Sequence, residues 1–409
     1  MTAYDIAAPD YTSPTEPNAV NRIQDFQLLE RKQVRTANGD TTPAWELTFK
    51  VPSGLKFSKD ELGKGVIAAG MQIALLPVND TARVEKALAG LKQDFDPSEK
   101  ISIKLPKRDG EALPDQPLTR AQAIAHTIDM TRPTKELLKL AGIKSDEYDY
   151  VSVEDFLNMP GVKGRITFDQ LIKNQQPLAN RKYTPSRVDP EKGEIGIIVS
   201  EVHHDEYRGT GSGYLADVAQ MENPPTVKGF LDLRKHKLPY DYEKPMIMLS
   251  TGVGVAPHLA MLREAEQKGL KPDIRMFVNG GRNDGDELCG DEIRKLMGDN
   301  VDNYHYMASR RNGYVQEALL ADPEAVWHAL EKDKGSIYLC GLEQMKTDVL
   351  QTLAKIGDDH GINGEEWVES LKADKRIRES TSAPDRFRTK WEEAQAKREP
   401  EPSTPGPGK

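Results

Sequence analysis

The run Arg181-Lys182-Tyr183-Thr184-Pro185-Ser186, followed closely by Gly209-Thr210-Gly211-Ser212-Gly213-Tyr214-Leu215, decides the reading of this chain. In an extended strand, alternate side chains share a face, so Arg181 and Tyr183 point together and Thr184 points to the other edge. A guanidinium is a forked cation suited to a pyrophosphate. A tyrosine ring can lie against an isoalloxazine, and a threonine hydroxyl can reach its N5 edge. The second run is a glycine-rich turn opening a helix. Gly209 and Gly211 let backbone N–H groups approach phosphate oxygens, and Ser212 adds a donor. Each run alone also has a plain reading, a strand with a surface arginine and a turn with several glycines. Their order and short separation point to a flavin dinucleotide site.

Three later stretches carry the complementary chemistry. Ser250-Thr251-Gly252-Val253-Gly254-Val255-Ala256-Pro257 follows the apolar run Met246–Leu249. Gly252 and Gly254 permit a tight strand-to-helix turn, and Pro257 suits the first turn of the helix that follows. A helix start of this kind attracts a pyrophosphate. The spacing differs from Gly-x-Gly-x-x-Gly, because a proline stands where the third glycine would be. Ser309-Arg310-Arg311-Asn312-Gly313-Tyr314-Val315-Gln316 offers two guanidiniums and a serine for a monophosphate, with the Tyr314 ring free to stack on a base; a solvated basic loop has the same composition. Tyr338-Leu339-Cys340-Gly341 ends another apolar strand, where a thiol can touch a reacting ring, although a small buried filler reads identically.

Around these motifs the chain has 409 residues, 37% hydrophobic and 30% charged, enough for two or three domains. The formal charge of −9 argues against a nucleic-acid binder. Two cysteines, Cys289 and Cys340, no basic-then-apolar leader and no apolar run near 18 residues predict a cytoplasmic protein with neither disulfide nor membrane segment. No metal site is expected. Residues 1–21 read as a flexible arm. Short alternating strands over 22–80 and again over 171–232 predict an antiparallel β-barrel, the FAD-binding part, interrupted by a helical insertion over 81–170. Helix starts are expected at Asn79 or Asp80, near Thr119 and after Pro133. From 240 to 362, apolar strands alternate with helices, which predicts a parallel sheet covered on both faces, the NADP-binding α/β domain. Residues 363–409 read as a C-terminal segment and a disordered tail, with a short helix near Trp391.

With five motifs in this order, residues 25–360 resemble the ferredoxin–NADP reductase superfamily, and most of all the reductase module of the diflavin enzymes, cytochrome P450 reductase and the sulfite reductase flavoprotein. The family's Arg-x-Tyr-Ser run is present with threonine in place of serine. Its Gly-x-x-Ser-x-x-Leu turn matches Gly209, Ser212 and Leu215, and its Gly-x-Gly-x-Ala-Pro turn matches Gly252, Gly254, Ala256 and Pro257. Its 2′-phosphate set matches Ser309, Arg310, Tyr314 and Gln316, with Asn312 where a lysine is usual and Arg311 available to compensate. Tyr338, Cys340 and Gly341 complete the set. The resemblance implies FAD and NADPH as cofactors, bound by Arg181, Tyr183, Thr184, Gly209, Gly211, Ser212, Gly252, Gly254, Pro257, Ser309, Arg310, Arg311, Tyr314 and Gln316, with Thr184 and Cys340 as the catalytic pair.

The same resemblance implies that hydride passes from NADPH to FAD and that single electrons then leave. With about 20 residues where the diflavin enzymes carry an FMN domain, a separate protein acceptor is expected: a flavodoxin, a ferredoxin, or a haem or iron–sulfur enzyme subunit. The alternatives are a non-catalytic flavin-binding scaffold or sensor subunit, and a reductase of small diffusible acceptors such as flavin, quinone or ferric chelates. Two departures stand out. Leu342 replaces the acidic residue after Cys-Gly. The C-terminal stretch Arg376–Ser382 lacks the ring that covers the flavin, leaving Glu379 as the replacement acid and Phe387 or Trp391 as a lid.

Overall fold

The computed structural model describes residues 6, 23–37, 41–52, 69–102, 117–144, 151–204, 207–232 and 238–382. The expected arm apart from residue 6, and the tail beyond 382 with Phe387 and Trp391, lie outside them. Of the described residues, 6 and 78–179 belong to one compact unit, and 23–77 and 180–382 to the other.

The first unit is helical. Helices α1 (Thr81–Gly90), α2 (Arg120–Thr127), α3 (Lys135–Leu140), α4 (Val153–Leu157) and α5 (Phe168–Asn174) begin after Asp80, Thr119, Thr134, Ser152 and Thr167. Each of these side chains accepts a hydrogen bond from the backbone N–H three residues on, satisfying a donor that the helix leaves open. The helices close over Val84, Leu88, Ile124, Leu137, Phe156 and Leu171.

The second unit opens with a seven-stranded antiparallel sheet of β1 (Gln24–Arg35), β2 (Ala44–Lys50), β3 (Gln72–Leu75), β4 (Arg181–Tyr183), β5 (Arg187–Asp189), β6 (Glu194–Ser200) and β7 (Val227–Asp232). Its spatial order is β4-β3-β7-β1-β2-β6-β5. Edge strands β4 and β5 are consecutive in the chain, with only Thr184, Pro185 and Ser186 between them. Four extended steps reach at most about 14 Å, whereas six strand spacings in a flat sheet span about 29 Å. The sheet must therefore roll up. Accordingly Phe26, Leu47, Phe49, Ile73, Leu75, Ile195 and Ile197 share one interior, plugged by Leu215 and Val218 of α6 (Thr210–Gln220).

The second part is a five-stranded parallel sheet of β8 (Met246–Thr251), β9 (Ile274–Gly281), β10 (Tyr304–Ala308), β11 (Ser336–Leu342) and β12 (Ile377–Ser382). The order β10-β9-β8-β11-β12 reverses between β8 and β11, which is where doubly wound sheets open a ligand crevice at their carboxyl ends. Helices α7 (Ala256–Lys268), α8 (Gly290–Met297), α9 (Val315–Ala321), α10 (Pro323–Trp327), α11 (Glu343–Asp359) and α12 (Gly364–Ala373) complete it. The two faces of the sheet bury separate cores. The expected domain end at 362 falls short, since α12 and β12 extend this layer to Ser382. With Ile377 its only large apolar residue, Ile-Arg-Glu-Ser-Thr-Ser gives no strand signal on its own. Among the described residues, no helix is long and apolar enough to cross a membrane.

Rolled sheet and parallel sheet are joined by a buried ion pair. Arg263 of α7 reaches Glu46 of β2 through both terminal nitrogens, and its Nε and Nη2 donate to Glu292 of α8 at 2.7 and 2.9 Å. The pair is nearly sealed, with 9% and 4% of the two side chains exposed. Burial alone would raise the Glu46 carboxyl, but the hydrogen bonds and charge of Arg263, with Ser186, hold it below its ordinary 4.5. Arg263→Leu leaves a buried carboxylate without its cation and is expected to cost about 3–5 kcal/mol, read from chemical denaturation; Glu46→Gln combined with Arg263→Met should recover much of that loss. The depressed Glu46 carboxyl stabilises the fold above pH 4.5, and that contribution should fade as the pH falls below this value. A double variant as acid-sensitive as the parent would exclude this pair as a source of acid lability.

Candidate active site

On the rolled sheet, Arg181 and the glycine turn meet. A Cβ built on Gly211 would lie 2.5 Å from Arg181 Cγ and 3.0 Å from its Nε, so the arginine stem lies directly over the first turn of α6. Only a glycine permits that approach. The N-cap Gly209 supplies no side-chain cap. A second arginine nearby, Arg208, is committed elsewhere, since it binds both carboxylate oxygens of Asp217 at 2.7 Å and also pairs with Glu201. Arg181 has no such ion pair among the described residues. Ser212 Oγ accepts from the Val202 N–H at 3.0 Å and so fixes the turn itself. A helix start and an uncommitted guanidinium thus face the same space, which is the donor set of a pyrophosphate site.

On the parallel sheet, register builds a polar tier. Tyr306, Asn279, Ser250, Cys340 and Ser380 are successive partners across β10, β9, β8, β11 and β12. Parallel neighbours in register present the same face. Ser250 Oγ donates to Asn279 Oδ1 at 3.1 Å, and both residues are buried. One residue beyond Ser250, at the point where strand order reverses, Thr251 Oγ1 is buried without a partner. The turn Gly252–Val255 leads from it into α7, with Pro257 in the first helical turn. A Cβ on Gly254 would sit 2.2 Å from the Cys340 carbonyl oxygen, so this glycine lets the turn press against β11. Beneath the turn, His258 donates from Nε2 to the Leu249 carbonyl at 3.2 Å and accepts at Nδ1 from the Tyr240 hydroxyl at 2.8 Å. Burial lowers its pKa to about 4, so it stays neutral.

The two halves meet at Ser380. Thr184 Oγ1, just past β4, lies 3.4 Å from Ser380 Oγ, a contact longer than a good hydrogen bond. Cys340 is the lateral partner of Ser380 across the parallel sheet. Burial pushes the Cys340 thiol up to about 12, with Ser380 opposing, so the group is a neutral thiol at physiological pH. Tyr183 is half-buried against the barrel interior, and burial raises its phenol to about 12. The intervening loop is clamped: Ser186 Oγ donates to Glu46 at 2.7 Å, and the Ser186 carbonyl accepts from Arg263 at 3.0 Å. The ion pair that joins the two sheets therefore also anchors the residue two positions beyond Thr184.

Three of the residues gathered here, Ser380, Glu46 and Arg263, carry no motif, and Thr251 was legible only as a member of the glycine-turn run. Ser186 was legible only as the end of a run. Glu379, the expected replacement acid, points the other way, toward Lys346 of α11 at 3.4 Å. Glu343, next to the exposed Leu342, accepts from Thr381 at 2.7 Å and pairs with Lys346.

The Ser309–Gln316 stretch lies beyond the carboxyl end of β10, three strand spacings from β11, or about 14 Å. Arg310 Nη1 is 3.5 Å from Asn283 Oδ1, and Arg311 pairs with Asp284 at 2.9 Å. Asn312 serves its own loop, accepting from the Ala308 N–H at 2.6 Å and donating to the Tyr306 carbonyl at 3.2 Å. Tyr314 is 59% exposed at the head of α9, with Gln316 in the first turn of that helix.

Comparison with known proteins agrees with this architecture. Residues 248–351 match the family described as oxidoreductase NAD-binding domain. The chain is 26% identical to the sulfite reductase [NADPH] flavoprotein alpha-component of Mannheimia succiniciproducens, over 78% of this chain and 56% of that protein. It is 25% identical to the same component of Shewanella oneidensis over 79% and 53%, and 30% identical to that of Vibrio cholerae over 51% and 36%. The chain spans about half the length of the curated relatives it matches. A rolled antiparallel sheet with a helical insertion, a parallel sheet ordered for a dinucleotide and these similarities together identify the chain as ferredoxin–NADP reductase-like, similar to the reductase module of the sulfite reductase flavoproteins.

Proposed function

We propose that this chain is an FAD-dependent NADPH oxidoreductase that delivers electrons to a separate protein acceptor. The observation that carries the proposal is the convergence of Thr184 and Cys340 on Ser380, each at the end of its own dinucleotide-type motif. The residues present fit the two cofactors. Gly211 lets the Arg181 stem lie against the first turn of α6, and the orphaned Thr251 hydroxyl lies at the reversal of the parallel sheet. When bound, the pair supplies hydride transfer from nicotinamide to flavin, which the chain itself has no group to perform.

The roles proposed for the chain are binding and orientation. Arg181 and the first turn of α6 offset the pyrophosphate charge of FAD. Tyr183 offers a ring face and Thr184 a hydroxyl to the flavin. The turn Gly252–Pro257 receives the pyrophosphate of NADPH. Ser309, Arg310, Arg311, Tyr314 and Gln316 are proposed to receive the far end of that dinucleotide. Cys340, neutral and small, forms an apolar wall for the nicotinamide and leaves no charge to trap there. Ser380 lies between Thr184 and Cys340, whose positions are set by the clamped link at Ser186 and by the strand register.

The acceptor is proposed from the relatives, which are flavoprotein components of sulfite reductases. A flavodoxin, a ferredoxin or a haem or iron–sulfur subunit fits that description. One observation favours a non-catalytic flavin-binding subunit instead: Ser380, a hydroxyl, stands beside Cys340, and Glu379 is turned away.

Protein loaded with FAD should bleach when NADPH is added without oxygen, and should then reduce ferricyanide. A flavin colour that persists for hours under excess NADPH would leave only the scaffold reading. Gly211→Ala should lower FAD retention at least tenfold, because its methyl would displace Arg181. Arg181→Ala should weaken FAD by about 10- to 150-fold, the worth of a charged hydrogen bond of about 1.5–3 kcal/mol. Equal FAD affinity in both variants, measured by equilibrium dialysis, would place the flavin elsewhere.

A further inference from the structure

Loop Arg282–Asp286, which follows β9, presents a carboxylate to the arginines that follow β10. The loop is held by Asp286, not by Asp284. Asp286 Oδ2 accepts from the Arg282 and Asn283 N–H groups at 3.0 Å each, and its Oδ1 accepts from Thr41 at 2.8 Å. The Tyr306 hydroxyl pins the Asn283 carbonyl at 2.7 Å. None of these bonds involves Asp284. Its carboxylate instead meets Arg311 Nη2 at 2.9 Å, with 64% and 60% of the two side chains exposed. An exposed ion pair of this kind contributes little to stability, so holding the loop together does not account for it. Its position has a chemical meaning, because an acid beyond the second strand of a doubly wound sheet can accept a hydrogen bond from a ribose 2′-hydroxyl, whereas an arginine there favours a 2′-phosphate.

We propose that Asp284 sets the dinucleotide preference of this site by occupying Arg311, so that a 2′-phosphate must displace a carboxylate while an unphosphorylated ribose need not. The inference rests on the nicotinamide-dinucleotide reading above and adds to it a specificity-determining residue. Arg311 is then a guarded cation rather than a free substitute for the lysine that Asn312 replaces. Arg310 Nη1 lies 3.5 Å from Asn283 Oδ1 in the same loop. Asp284 penalises the 2′-phosphate twice, through competition for Arg311 and through repulsion that salt screens. The consequence is a relaxed preference, with the phosphorylated dinucleotide favoured by less than two guanidiniums would otherwise allow.

The test measures equilibrium binding of adenosine 2′,5′-bisphosphate and of adenosine 5′-monophosphate by calorimetry on the full chain. These probes differ only in the 2′-phosphate. Asp284→Asn should tighten the bisphosphate by about three- to tenfold, the range of an exposed ion pair plus a relieved repulsion, and should leave the monophosphate unchanged or weaker. In an Arg311→Gln background, most of the gain should vanish. A bisphosphate affinity unmoved by Asp284→Asn, equal tightening of both probes, or a gain undiminished in the Arg311→Gln background would each overturn the inference. Parent protein that prefers the bisphosphate while Asp284→Asn changes nothing removes this inference alone. Parent protein that binds neither probe removes the dinucleotide reading as well.

Discussion

The contact between Arg263 and Glu46 governs the geometry of the rest. Two charges removed from water repel burial unless each finds partners on all sides. Here the guanidinium distributes its donors over Glu46, Glu292 and the Ser186 carbonyl, and Glu46 accepts in addition from the Ser186 hydroxyl. The elements supplying these groups are a strand of the rolled sheet, two helices of the parallel sheet and the three-residue link between β4 and β5. A shift of either sheet would strand a charge in a dry interior. The position of Thr184 relative to Cys340 is thereby tied to a strong constraint that neither residue makes itself.

That constraint explains why a weak contact suffices at the junction. Thr184 and Ser380 stand 3.4 Å apart, too far to organise anything alone. They need not, because Ser186 fixes the link on one side and the parallel register fixes Ser380 beside Cys340 on the other. The apolar contact between the sheets is consistent with this: Ala44 and Ile198 of the rolled sheet share a core with Met248, Leu259 and Cys340 of the parallel one. A site left with loose hydroxyls and a neutral thiol can admit a flat ring without opposing it with charge.

The polar tier across the parallel sheet carries a related lesson. Asn279 and Ser250 are buried at the carboxyl ends of strands that are otherwise apolar. In sequence each reads as the last residue of a hydrophobic run. Only pairing in register makes them, with Cys340 and Ser380, one continuous row. The charges at the far end of the crevice behave in the same way. Nothing local to Arg310 and Arg311 announces that Arg311 meets a carboxylate; a loop about 25 residues earlier in the chain brings Asn283 and Asp284 alongside them.

By itself the sequence determined what local physics governs. Glycine spacing marked the turns at Gly209–Ser212 and Gly252–Pro257, side-chain oxygens marked the helix starts at Asp80, Thr119 and Thr134, and alternation separated rolled from parallel sheet. The order of the motifs then implied the architecture. What only the tertiary structure decided is long-range and polar. Strand β12 lacked the hydrophobic period that exposes a strand to inspection, so Ser380 was invisible until β11 paired with it. Glu46 and Arg263 lie 217 positions apart, and a buried ion pair leaves no local signature, because each charge is tolerable only in the presence of the other. Glu379 and Ser380 stood equally close to the expected acid position; the alternation of a strand sent one to Lys346 and the other to Cys340.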